Sequence, residues 1–234
     1  MNEFIFIAFS LFLCLANIIA FRLGKTYLIA LIVTYSLLMN IFVLKQFTLF
    51  GFMTAGGNAL YGAIFLATDI LSEHYGKKEA FKSVILGFFT MIIFVIASQI
   101  LLVFTPNEYD FAHEHLSTLF TLMPRILIGS LLAYLLAQSL DVVLYHRLKK
   151  FTKNKFLFLR NNVSTLVSQL IDTIIFTAVG LTTFSCLNLE GVISPDQFWE
   201  IVLVAYVLKV IFAAIDTPFL YLSYKFLPKK NSQK

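Results

Sequence analysis

Phe4-Ile5-Phe6-Ile7-Ala8-Phe9-Ser10-Leu11-Phe12-Leu13-Cys14-Leu15-Ala16-Asn17-Ile18-Ile19-Ala20-Phe21 carries no charge from end to end. Coiled as an α-helix it reaches roughly 27 Å, close to the hydrocarbon thickness of a bilayer. Glu3 is the only charged residue ahead of it. A cleaved secretory leader needs a basic n-region, so the run is expected to remain as a first helix. Downstream, similar runs occupy residues 27–44, 47–71, 84–104, 119–144, 163–184 and 198–222. Apolar residues make up 59% of the chain and charged residues 13%, with a mean hydropathy of +0.84, whereas a water-soluble domain carries about 25% charge. These features predict an all-α, polytopic transmembrane helical bundle of six to seven spans, folded as a single membrane domain over residues 1–234. Gly51, Gly56, Gly57, Asn58 and Gly62 interrupt the third run, which suits a broken or re-entrant segment as well as a straight span.

Basic residues fix the expected orientation, because loops on the cytoplasmic side are enriched in them. Of the 18 lysines and arginines, all but Lys45, Arg125 and Lys209 fall in alternate loops after the first, third and fifth runs or in the C-terminal tail. Lys45 shares the opposite side with Glu3, Glu108, Asp110, Glu114, Glu190, Asp196 and Glu200. The partition predicts an N-terminus outside and a C-terminus in the cytoplasm. It also explains the net charge of +5 as a topological signal. Nucleic-acid binding needs a basic face with readout elements, and the chain shows none. Two cysteines, Cys14 and Cys186, make neither a disulfide framework nor a CxxC site.

A charge at the centre of a bilayer costs about 2.5 to 3.5 kcal/mol on insertion scales. Asp69, Arg125, Asp141, Asp172, Lys209 and Asp216 all fall within apolar runs. Asp69, Asp141 and Arg125 lie near span ends, where water lowers the cost. Asp172 and Lys209 lie near mid-span and are opposite in sign, which predicts an inward-facing pair. Asn162, Thr165, Gln169 and Asp172 step by three, four and three residues, so they share one helix face. Tyr134, Gln138 and Asp141 repeat that pattern in the preceding run. Such stripes need a wet or ligand-filled space, since lipid satisfies no hydrogen bonds, although they also glue helices together. A carboxylate beside an amide matches the edge of a guanine-like base, with a ring N–H and an exocyclic NH2.

His113, Glu114 and His115, close to Glu108 and Asp110 in one outer loop, have the ligand types of a metal site but an i, i+2 spacing typical of a solvated loop. No cofactor is expected. Motifs of the G-x-S-x-G, HExxH or GxxxxGK[ST] type are lacking, so neither a hydrolase nor a built-in ATPase is indicated.

Thr68-Asp69 followed by Glu73-His74-Tyr75-Gly76 and Ala80 resembles the T-D-x-x-x-E-x-Y-G-x-x-x-A signature of the queuosine precursor transporter family, also called the vitamin uptake transporter family. Pro124-Arg125 through Tyr134, Gln138 and Asp141 resembles that family's fifth helix, Asn162 through Gln169, Asp172 and Thr173 its next, and Lys209 with Pro218 its last. The resemblance covers residues 57–218. The chain departs from it at Ala205, where some members carry an acidic residue. The resemblance implies import of a 7-deazaguanine precursor of the tRNA nucleoside queuosine, such as preQ0, preQ1 or queuine, across the bacterial cytoplasmic membrane. It implies substrate-binding roles for Asp69, Arg125, Gln138, Asp141, Asn162, Gln169, Asp172 and Lys209. It also implies a small molecule and the lipid bilayer as partners, with no obligatory ATPase; a homo-oligomer stays open. The alternative is a substrate-capture subunit of an energy-coupling-factor importer for a vitamin-like molecule. Glu73, Tyr75 and Gly76 are expected mainly to build a tight cytoplasmic turn, with Gly76 ending a helix.

Overall fold

The structure, a computed structural model, describes residues 1–151, 157–183 and 191–226. Within that range the side chains of several helical residues lie outside the description, among them Gln138, Asp141, Asn162, Thr165 and Asp216. The chain runs α1 (Asn2–Leu23), α2 (Lys25–Phe42), β1 (Gln46–Leu49), β2 (Phe52–Ala55), α3 (Asn58–Tyr75), α4 (Lys77–Val103), α5 (His113–Phe120), α6 (Met123–Phe151) and α7 (Leu157–Phe176). A π-helical turn, Thr177–Leu181, comes after α7, and a 3-10 turn, Pro195–Gln197, leads into α8 (Phe198–Lys225). By length and composition, four stretches among the described residues can cross a membrane: Asn2–Leu23, Lys25–Phe42, Lys78–Val103 and His113–Ala137.

The third apolar run does not form one helix. Its first part folds into a β-hairpin, with Gln46 opposite Ala55 and Leu49 opposite Phe52. Phe50 and Gly51 make the turn with positive φ, 51° and 87°, the handedness that suits the twist of paired strands. Behind the hairpin, Gly56 and Gly57 press against the end of α2. A Cβ at Gly56 would stand 2.7 Å from the Phe42 carbonyl oxygen, and one at Gly57 2.9 Å from that of Met39. Only after this contact does α3 begin, so the run over 47–71 is the broken segment that its glycines allowed, hairpin plus helix, and not a straight span.

The chain divides into two compact units, residues 1–120 with 211–234, and residues 121–210. The first unit is built around a cluster in which Phe21, Leu28, Ile32, Leu66, Ile70 and Leu71 are buried from α1, α2 and α3. On the outer faces of α1 and α4, Phe12, Leu15, Ile19, Phe89, Ile93 and Ile96 stay exposed, as residues turned towards lipid do.

Polar ties gather at the two ends of this unit. At one end Asn2 Nδ2 donates to the Thr48 carbonyl at 2.9 Å, and Glu3 Oε1 accepts from Phe50 N–H at 3.1 Å, which fastens the start of α1 to the hairpin. At the other end Lys25 Nζ meets Glu79 Oε2 at 2.9 Å, joining the α1–α2 connection to the start of α4. Gly76, at φ 90°, makes the tight α3–α4 turn that a side chain would strain. His74 Nε2 lies 2.7 Å from Ser223 Oγ, Tyr224 donates to Glu73, and Arg22 sits over the Phe226 ring. The α1–α2 and α3–α4 connections and the end of α8 therefore share a side.

In the second unit α6 runs along α7 and reaches the π-helical turn. A Cβ on Gly129 would lie 2.8 Å from Gly180 Cα, so the two backbones touch where α6 crosses the turn.

Candidate functional site

The predicted mid-span pair is present. Lys209 Nζ of α8 stands 2.7 Å from Asp172 Oδ2 of α7, with side chains 11% and 17% exposed. Gln169 lies one turn before Asp172 on the same helix, and its carbonyl accepts the Thr173 hydroxyl at 2.8 Å. That back-bond satisfies Thr173 within its own helix. Ser168 and Thr173 are buried, and Tyr206 OH reaches the Leu166 carbonyl at 3.3 Å. One face of α7 therefore carries an acid, an amide and a hydroxyl beside a lysine.

The remaining site candidates are distributed differently. Arg125, near the start of α6, directs Nε to the Val179 carbonyl at 2.8 Å and its Nη2 to the Thr182 carbonyl. It thus meets the far end of the segment that carries Asp172. Asp69 belongs to α3 in the first unit, on a face exposed within that unit. Gln138, Asp141 and Asn162 lie outside the described side chains. In the loop between α4 and α5, Asp110 Oδ1 accepts from Ala112 and His113 N–H at the start of α5. Among the described residues no group of three or more His, Cys, Asp or Glu is placed to hold a metal.

Two features had no counterpart in the sequence reading. Tyr224 and Ser223 were not singled out, yet they tie the end of α8 to Glu73 and His74, across sequence separations no local pattern reveals. Gly76 does end α3, and the Tyr75 ring packs edge-on against Phe21 at 6.2 Å. The Glu73 carboxylate beside it pushes the Tyr224 hydroxyl above its usual value. Lys25 and then Lys82, bonded to Glu79, hold that carboxyl below the ordinary range. The second missed feature is Asn17, fully buried in α1. Its Nδ2 donates to the Ala63 carbonyl of α3 at 2.8 Å, while Oδ1 has no partner among the described residues.

Four stretches able to cross a bilayer, an acid–base pair between α7 and α8 and an adjoining break in helical backbone are features of an integral membrane protein of the solute-transporter class. The chain matches the family described as "Putative vitamin uptake transporter" over residues 55–223, and it belongs to that family. It is a multi-pass protein of the bacterial inner membrane. A "Probable queuosine precursor transporter" of Bacillus subtilis is 38% identical over 206 residues, 88% of this chain and 86% of that protein. A "Queuosine precursor transporter" of Escherichia coli is 29% identical over 183 residues, 75% of each chain. No solved structure matches.

Proposed function

We propose that this chain imports a queuosine precursor with a 7-deazaguanine edge across the cytoplasmic membrane, crossing it seven times with the N-terminus outside. The observation that carries the reading is the Asp172–Lys209 pair at 2.7 Å, with Gln169 one turn away, inside the family-matched segment. The base edge offers a ring N–H and an exocyclic NH2, two parallel donors that a carboxylate accepts together. Such a ligand competes with Lys209 for Asp172, and Gln169 supplies the matching amide for the neighbouring carbonyl. Lys209 pairs with the acid while no ligand is bound, which offsets the cost of burying it. Asp69, Gln138, Asp141 and Asn162 are further candidates for ligand contact.

The orientation is supported by the ends of the first unit. The side that holds Arg22, Lys25 and Lys82 is the basic side and thus cytoplasmic, which leaves the hairpin outside. The test is uptake by this chain alone in a bacterium that neither makes queuosine nor imports its precursors. Queuosine appearing in tRNA after one precursor is supplied at limiting concentration supports the reading and names the substrate. With the protein present in the membrane and no precursor restoring tRNA queuosine, stand-alone import is wrong and the energy-coupled subunit reading takes its place.

A further inference from the structure

Where a helix ends, its last carbonyls lose their partners and must find others. After Phe176 the chain makes a π-helical turn, and at Thr182 it leaves helical conformation for an extended one, φ −77° and ψ 134°. The carbonyls here are satisfied from three sources. Thr182 N–H and Oγ1 both bond the Thr177 carbonyl, at 3.0 and 2.8 Å. Val192 and Ile193 N–H bond that of Leu181, at 2.7 and 3.1 Å. The carbonyls of Val179 and Thr182 take the Arg125 guanidinium. A cation at the carbonyl end of a helix also complements its dipole.

The approach that allows this is close and specific. Gly129 lies one turn after Arg125 on α6 and touches the backbone of Gly180, so the guanidinium is carried directly over the turn. The consequence reaches the ligand face. A π-helical turn holds one residue more than an α-helical turn, and gaining or losing one residue rotates the preceding helix by about 100° relative to the chain beyond the turn. Asp172 and Gln169 precede the turn on the same continuous backbone. The state of the turn therefore decides which face of α7 they occupy.

We propose that Arg125 is a positioning residue: it holds the Val179 and Thr182 carbonyls in the π-helical arrangement and so sets the register of Asp172 and Gln169, without itself touching the ligand. The inference rests on the proposed ligand role of those two residues, but its first readout does not depend on that role. In full-length protein without ligand, Arg125→Ala speeds amide hydrogen exchange across residues 177–183 by about tenfold or more, while amides of α1 and α3 keep their wild-type rates. Arg125→Lys, which keeps the charge but not the fork, falls between the two. The second readout is uptake. Loosening the turn lowers the binding-competent fraction, so KM rises by one common factor for preQ0, preQ1 and queuine. A residue touching the 7-substituent, where the three compounds differ, would instead discriminate among them.

Unchanged exchange at 177–183 in either variant overturns the clamp. A KM increase confined to one precursor overturns the claim that Arg125 stays off the ligand. If Arg125→Ala does not accumulate, Arg125→Lys carries both readouts. If wild-type protein transports none of the three compounds, the proposed function fails while the exchange measurement still decides the clamp.

Discussion

The two units of the molecule handle polarity in opposite ways. In the first, side chains of α1, α2 and α3 close on an apolar cluster, and charged or hydrogen-bonding groups collect at its two ends. In the second, an acid, an amide and a lysine sit within the helices, two backbones touch at a pair of glycines, and one helix changes its winding. Polar groups in lipid surroundings are stable only when paired or hydrated. Apart from Asn17 and Asp69, the first unit keeps such groups at its ends, and the second places them within its helices, on the ligand face proposed above. Substitutions of matched kind in the two units should then fail differently, one in the amount of folded protein and the other in transport.

The largest effect is expected at Asp172. Asp172→Ala takes away the carboxylate bonded to the buried Lys209 ammonium, which costs about 3 to 5 kcal/mol and depletes folded protein. The double change Asp172→Asn with Lys209→Gln removes both charges together. It should return the protein to near wild-type amounts on quantitative blots of membranes while uptake stays lost, because the base edge no longer meets a carboxylate. Recovery of uptake along with protein would show that the pair serves only to hold α7 to α8.

Next comes the apolar cluster. Leu66, fully buried, becomes a cavity in Leu66→Ala, a change that costs about 2 to 5 kcal/mol in a packed interior. The expected result is less protein and a lower melting temperature, with the KM of the surviving protein within about twofold of wild type. A KM shifted as strongly as in an Asp172 variant would erase the proposed division between the units.

Much of this contrast could be read from the chain alone, and the exceptions have physical reasons. Charge-free runs and the placement of lysine and arginine carry topology in composition, so the helices and their alternating connections were legible. Asp172 and Lys209 were legible as a pair because two opposite charges in apolar runs have few other ways to be stabilised. The hairpin was not. Its strands are apolar enough to pass for the start of a span, and its Phe50-Gly51 turn lacks the Asn-Gly or Asp-Gly signal of most two-residue hairpins. Arg125 was visible as a charge, but its partners are backbone carbonyls, which have no residue type to betray them. The π-helical turn is equally silent in Thr177-Ala178-Val179-Gly180-Leu181. Asp69 falls in the first unit, so its relation to Asp172 is a matter for uptake measurements.

The smallest effect belongs to the tie between α3 and α8, at the end of the first unit, beyond the apolar run that ends at residue 71. Ser223 Oγ donates to the Leu220 carbonyl at 2.6 Å, so His74 Nε2–H must be the donor to Ser223. Its ring lies between Phe21, tilted at 4.6 Å, and Tyr224, edge-on at 4.9 Å. Burial there lowers the His74 pKa below its usual 6.5, with the Glu73 charge acting in the opposite direction. The unfolded chain then takes up its proton first as pH falls. Stability from this contact is complete above about pH 6.5 and declines as pH drops towards the lower folded value. Because the ring keeps part of its surface in solvent, the loss is well under about 1 kcal/mol. Melting curves of wild type and His74→Gln between pH 7.5 and 5.5 check it: the wild type should lose slightly more stability on acidification than the variant. Parallel curves would mean that His74 keeps its ordinary affinity for protons, and that the α3–α8 tie is held by Glu73 and Tyr224 alone.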